Sequence, residues 1–143
     1  GHKGQLLEGG IRVPAIISYP KALPQGVVRN QAVTLMDWMP TILTLCGVDY
    51  PDVKFDGHDI LPVIQDNAPS PYQAMHWQWQ EKWAVREGDW KLLKDTEELS
   101  LLNLAGGEPE QTNHIADHPE IAARLQKLHD AWAAEVFPPG LEN

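Results

Sequence analysis

The sequence predicts an α/β fold, α+β when these residues are taken by themselves. The end of an α/β domain is expected over residues 1–70, and over 71–143 a small antiparallel sheet of about four strands packed by a C-terminal helix. Three observations point there. An apolar, β-branched run near the front leads into a capped helix; short strand-like runs joined by tight turns fill the middle; and an apolar stripe at helical spacing comes near the end.

Taken in order, Val13 to Tyr19 is apolar and β-branched, is punctuated by Pro14 and Pro20, and reads as a buried strand. A second short strand is expected over Val27 to Leu35. Asp37-Trp38-Met39-Pro40 then opens a helix, with aspartate capping free backbone N–H groups and proline tolerated in the first turn. Met39, Ile42, Leu43 and Cys46 give that helix an apolar face, and Gly47 stops it. From Asp49 to Pro71 the chain is proline-rich and irregular, which sets a boundary near residue 70. Strands are expected over Ala74–Gln80, Trp83–Arg86, Trp90–Leu93 and Leu99–Leu104, with Glu87-Gly88-Asp89 as a hairpin turn. The last helix starts at a capping-box pattern of Asp117 and Glu120, carries Ile121, Leu125, Leu128 and Trp132 on one face, and ends at Pro138-Pro139-Gly140.

The formal charge of −9 argues against a nucleic-acid partner. In the first fifty residues Lys3, Arg12, Lys21 and Arg29 face only Glu8, Asp37 and Asp49, so nearly all the acidity lies later and an anion would prefer the front. No apolar run reaches the roughly 20 residues of a membrane span. One cysteine excludes an internal disulfide, and Cys46 reads as a core residue. The chain opens in mid-motif without an initiator methionine, so it is expected to be a fragment, with any targeting signal elsewhere. Such a piece, cut from a sheet, is expected to self-associate.

The one segment built around an anion is Gly1-His2-Lys3-Gly4, running on to Glu8-Gly9-Gly10-Ile11-Arg12-Val13-Pro14. Glycines let the backbone approach a ligand closely, and Lys3 supplies a compact charge suited to a tetrahedral oxyanion. Glu8 and Arg12 read as a structural ion pair, and Arg86 as a buried anchor. His2 is either an acid–base group beside Lys3 or a solvent-facing loop residue.

Four segments in this order resemble the C-terminal portion of the formylglycine-dependent sulfatases of the alkaline phosphatase superfamily. They are the Gly-x-Lys-Gly…Glu-Gly-Gly-x-Arg-x-Pro opening, Asp37-Trp38-Met39-Pro40-Thr41-Ile42-Leu43 with Gly47, Asp56-Gly57-His58-Asp59-Ile60-Leu61-Pro62, and Ala84-Val85-Arg86-Glu87-Gly88-Asp89-Trp90-Lys91. The match departs at Gly107 to Ala116 and at Asp59, where serine is usual. The resemblance implies that residues 1–70 close an alkaline-phosphatase-like catalytic domain, and that the parent enzyme hydrolyses a sulfate ester of a sugar or aryl alcohol with calcium and formylglycine. Lys3 then matches the family's sulfate-contacting lysine.

Neither cofactor is expected in this chain, because Cys46 lacks the Cys-x-Pro-Ser-Arg context and Asp49, Asp52, Asp56 and Asp59 lack calcium-loop spacing. The resemblance leaves the compartment open. A phosphonate monoesterase or phosphodiesterase of the same superfamily, and a binding module without chemistry, stay as alternatives.

On the strand Met75 to Gln80, alternation puts His76, Gln78 and Gln80 on one face and Trp77 and Trp79 on the other. The tryptophans are expected beneath the last helix with the polar set outward. In the sharper version, His76 or Gln78 borders the substrate pocket. His114, His118 and His129 read as surface residues.

Overall fold

The computed structural model describes residues 1–95, 97–106 and 110–137. Its α-helices are α1 (Glu8–Ile11), α2 (Trp38–Leu45), α3 (Leu61–Asp66) and α4 (Pro119–Val136), with a 3-10 turn at Leu35–Asp37 leading into α2, and its strands are β1 (Met75–Trp79), β2 (Lys82–Glu87), β3 (Trp90–Lys94) and β4 (Leu99–Asn103). The chain divides into two compact units, one of Gly1–Pro14 with Ala74–Asn143 and one of Ala15–Gln73.

In the first unit the four strands form an antiparallel meander in the order β1-β2-β3-β4. Each predicted strand is present within a residue or two of its expected bounds. Glu87 pairs with Trp90 across the turn at Gly88 and Asp89, and the register then sets Val85 opposite Leu92 and Leu92 opposite Leu101. Cross-strand partners share a face. One face therefore gathers Trp83, Val85, Leu92 and Leu101, and α4 lays Ala122 and Leu125 onto it. The opposite face gathers Ala84, Leu93 and Leu102 under Leu6, with Leu7, Ile11 and Trp77 at its margin. The sheet is thus covered on both sides. Each fully buried Leu or Val stabilises the unit by about 1.5–3 kcal/mol.

The outer side of β4 is closed by a side chain. Asn113 Oδ1 accepts from the backbone N–H of Leu101 at 3.0 Å, and its Nδ2 donates to the Leu99 carbonyl at 3.1 Å. A free edge would otherwise offer these groups to another strand.

Helix α4 begins one residue later than the capping box implied. His118 is the N-cap and makes no side-chain cap bond, while Pro119 stands at the first turn, where its missing N–H costs nothing. Its buried stripe is Ala122, Leu125 and His129, one step round from the expected one, so His129 is a core residue and not a surface one. The Trp83 ring stacks on its imidazole at 4.1 Å, which explains the burial. His114 and His118 are half-buried beside Trp90, with ring centroids 5.8 and 4.9 Å from it. The expected stop at Pro138-Pro139-Gly140 lies outside the described residues.

The second unit departs most from expectation. Val13 to Tyr19 and Val27 to Leu35 form no strand, and Ile16 is 93% exposed. A strand exists only by pairing, and among the described residues every strand belongs to the four-stranded sheet. Helix α2 forms as expected, but its buried residues are Pro40 and Thr41, while Met39, Ile42 and Cys46 face outward.

Asp37 is buried at the N-cap position of α2, yet its side chain caps no N–H of that helix. Its carboxylate accepts from Thr34 N at 2.6 Å, His58 N at 2.8 Å and the Tyr72 hydroxyl. Burial first, and the bond to Asp37 next, push Tyr72 up to about 12. Thr41 Oγ1 donates to the Asp37 carbonyl at 2.6 Å and accepts from Ile60 N at 3.0 Å. Two of the four sequence motifs are therefore one hydrogen-bonded assembly. Beside it a cavity of about 530 Å³ is lined largely by apolar groups such as Ile17, Leu23 and Val63. Its one charged lining residue, Arg29, donates from Nε to the Val63 and Ile64 carbonyls at 3.0 and 3.1 Å.

Candidate functional site

The lysine segment is a turn held by its own backbone. Gln5 N donates to the His2 carbonyl at 3.0 Å, and Gly4 sits at φ 86°. That conformation suits the third position of a type II turn, which strongly favours glycine. Lys3 occupies the second position and is exposed, and it forms no ion pair among the described residues. His2 is also exposed. Its Nδ1 lies 2.9 Å from the Lys3 carbonyl oxygen, so Nδ1 carries the proton and Nε2 is the free acceptor of the neutral ring.

After the turn the chain doubles back on itself. A Cβ added to Gly10 would collide with the Gln5 carbonyl and come within 2.7 Å of the His2 carbonyl oxygen, so only glycine permits the approach. Leu6 then plugs into the sheet face beside Ala84, Leu93 and Leu102.

Below the turn lies a group of charges. Lys91, on β3, has no exposed side-chain surface, and its Nζ is 2.8 Å from Glu110 Oε1 and 3.2 Å from Glu8 Oε1. Glu8 Oε2 lies 3.7 Å from Arg86 and 3.8 Å from Arg12. The expected Glu8–Arg12 pair is present, but Arg12 is 74% exposed and the closer cation is Lys91. Glu110 returns to the loop as well, both its carboxylate oxygens accepting from Glu8 N at 2.9 Å.

His76 and Gln78 are elsewhere. The pairing of His76 with Val85 puts it on the sheet face covered by α4, where its ring stacks on Trp132 at 5.0 Å and lies 6.0 Å from His129. Trp77 packs against the other face. The expected orientation of β1 is therefore reversed, because both faces are covered and the imidazole matches the helix's rings. Burial, and less strongly His129, pushes His76 down to about 4. Burial likewise pushes His129 down, against a smaller opposing pull from Asp130. The Nδ1 atoms of both rings are buried without a hydrogen-bond partner. Gln78 is exposed on the same strand. The structure thus brings His2 and Lys3 together in one turn and sets His76 on the far side of the sheet from the face their segment covers.

The family described as N-sulphoglucosamine sulphohydrolase, C-terminal, matches residues 2–135. The chain belongs to this sulfatase family. It is 33% identical over 147 residues to an uncharacterised sulfatase of Schizosaccharomyces pombe, covering 91% of this chain and 26% of that protein. Human arylsulfatase A is 37% identical over 73 residues, covering 51% of this chain and 14% of the relative. The chain therefore spans only about a quarter or less of the length of these relatives. Among solved structures, the crystal structure of Ps i-CgsB shares the fold, with TM-score 0.69 and 20% identity over 85% of this chain and 29% of that one.

Metal-ligating side chains are scattered among the described residues. They include no group of three or more His, Cys, Asp or Glu side chains able to hold a metal ion. Cys46 is an exposed C-cap residue of α2. No helix among the described residues is long and apolar enough to cross a membrane.

Sequence reasoning missed Lys91, Glu110 and His129. For Lys91 a signal was available. Consecutive apolar pairs at Ala84-Val85, Leu92-Leu93 and Leu101-Leu102 imply a sheet covered on both faces, which buries the lysine between them.

Proposed function

We propose that this chain works as part of a sulfatase hydrolysing the sulfate ester of a sugar or aryl alcohol, and that Lys3 is its contact to the sulfate. Residues 1–70 close the catalytic domain and 71–143 form its small C-terminal subdomain, with Gly1–Pro14 anchored on that subdomain's sheet. The observation that carries the reading is the exposed ammonium of Lys3 on a glycine-fixed turn, without an ion pair among the described residues, whereas Lys91, Arg86 and Arg12 each lie within 4 Å of Glu8.

An ammonium so placed offsets the negative charge that gathers on the leaving oxygen as its bond to sulfur breaks. His2, whose Nδ1 is held by the Lys3 carbonyl, is the neighbour able to give the leaving oxygen a proton from Nε2 once that nitrogen is protonated from solvent. Gln78 and His76 share the sheet face opposite the one that the Lys3 segment covers, so they take no part in this contact. In the preceding segments of the enzyme, a formylglycine side chain would supply the nucleophile and a bound calcium ion the Lewis acid. The isolated chain is inactive on this reading.

Two measurements test it. Lys3→Ala, in the polypeptide that carries this chain with its preceding sulfatase segments, is expected to lose on the order of 10²–10³ in kcat. Unchanged turnover of a chromogenic aryl sulfate rejects the assignment. The 143-residue chain alone, given the same substrate and calcium, is expected to show no turnover, and a rate above background rejects its inactivity.

A further inference from the structure

We infer that Lys91 and Glu110 are positioning residues that set the place of Lys3, acting through Glu8. The inference rests on the reading of Lys3 as the sulfate contact.

The charges are costly where they lie. Lys91 has no exposed side-chain surface and shares its sheet face with Ala84, Leu93, Leu102 and Leu6. An apolar side chain would serve stability there as well or better, since buried ion pairs are often matched or surpassed by packed hydrocarbon. What the charges add is direction. Lys91 Nζ bridges Glu8 and Glu110, and Glu110 in turn holds the backbone N–H of Glu8 with both oxygens. Glu8 is thereby fixed through its side chain and its main chain at once.

Glu110 does this from a strained backbone, at φ 67° in the left-handed region. A residue other than glycine keeps such a conformation only where its surroundings over-determine it. The constraint then passes up the loop. Glu8 is followed by Gly9 and Gly10, whose backbones press against the Gly1, His2 and Gln5 carbonyls of the turn that bears Lys3. No slack separates the buried charges from that turn. A shift at Glu8 is a shift at Lys3.

The test is a double-mutant cycle in the polypeptide that includes the preceding sulfatase segments. Glu110→Gly removes the carboxylate while suiting the left-handed backbone and leaves Lys91 its second partner Glu8, so the protein is expected to stay folded at a lower thermal midpoint. kcat is expected to fall on the order of 10²-fold, the scale of a misplacement of about 1 Å. Lys91→Met is expected to lower kcat similarly. In a Lys3→Ala background neither substitution should lower kcat further, because each acts through the lysine. A residue that merely supports the fold would lose activity in both backgrounds.

If Lys3→Ala is severe while Glu110→Gly and Lys91→Met keep kcat within twofold, the inference falls and the Lys3 reading stands. It also falls if their losses persist in full without Lys3. If Lys3→Ala itself is silent, the sulfate-contact reading fails first. Should Lys91→Met not fold, Glu110→Gly decides alone.

Discussion

The two faces of the sheet are held by opposite kinds of chemistry. Under α4, rings and aliphatic groups stack: Trp83 on His129, His76 on Trp132, Leu125 among Val85, Leu92 and Leu101. On the other face the apolar layer is thinner and is threaded by Lys91, Glu8, Arg86 and Glu110. The contrast separates two tasks of a small domain. Area burial is non-directional and suits a helix that need only stay docked. Charge pairing is directional, and it lies on the side where a loop must hold one ammonium in place.

The largest expected effect comes from breaking the charged side. Lys91→Ala leaves two carboxylates facing each other in a buried site and should cost about 3–5 kcal/mol in urea unfolding. Replacing Lys91, Glu8 and Glu110 together by Met, Gln and Gln should instead be near neutral; a loss as large as that of the single change would mean that the charges hold the fold rather than aim the loop. On the helix side Leu125→Ala is expected to cost about 2–5 kcal/mol, with no concerted route to rescue it. A cost below about 1 kcal/mol would show that α4 is only loosely docked.

Acid should separate the faces further. His76 binds a proton less readily in the folded chain, about 4 against an ordinary 6.5, and His129 shifts the same way. The unfolded chain therefore binds more protons between those values. Stability from the helix face is complete above pH 6.5 and is lost as the pH falls toward 4. His76→Phe keeps a ring against Trp132 and removes one titration, so its urea midpoint should drop less from pH 7 to pH 5 than that of the unaltered chain. An equal drop would absolve His76.

The smallest effect is expected at the rim. Arg124 lies 2.6 Å from Glu87 but is 53% exposed, so Arg124→Ala should cost about 0.2–1 kcal/mol and lose even that in high salt.

The legibility of each part in the sequence follows from how local its cause is. The four strands could be read because alternation and the turn at Gly88 are written within a few residues of one another, and the lysine turn because Gly4 marks its own conformation. Val13 to Tyr19 was misread for the converse reason. Its residue types favour a strand, but pairing partners are not a local property. Asp37 was placed at the right helix and given the wrong role, since its donors at His58 and Tyr72 lie 21 and 35 residues away. The candidate site shows the same limit. Lys3 and Glu8 stood out in one segment, while Glu110, 102 residues from Glu8, had nothing nearby to connect it with the loop.

A last consequence concerns recombination between relatives. The unit that holds the charges is assembled from Gly1–Pro14 and Ala74–Asn143, with another compact unit spliced between them in the chain. A chimera that exchanged only the later stretch would inherit Lys91 and Glu110 from one parent and Glu8 from the other. Crossovers should therefore be made in pairs, near residues 14 and 73, so that the three residues travel as a set.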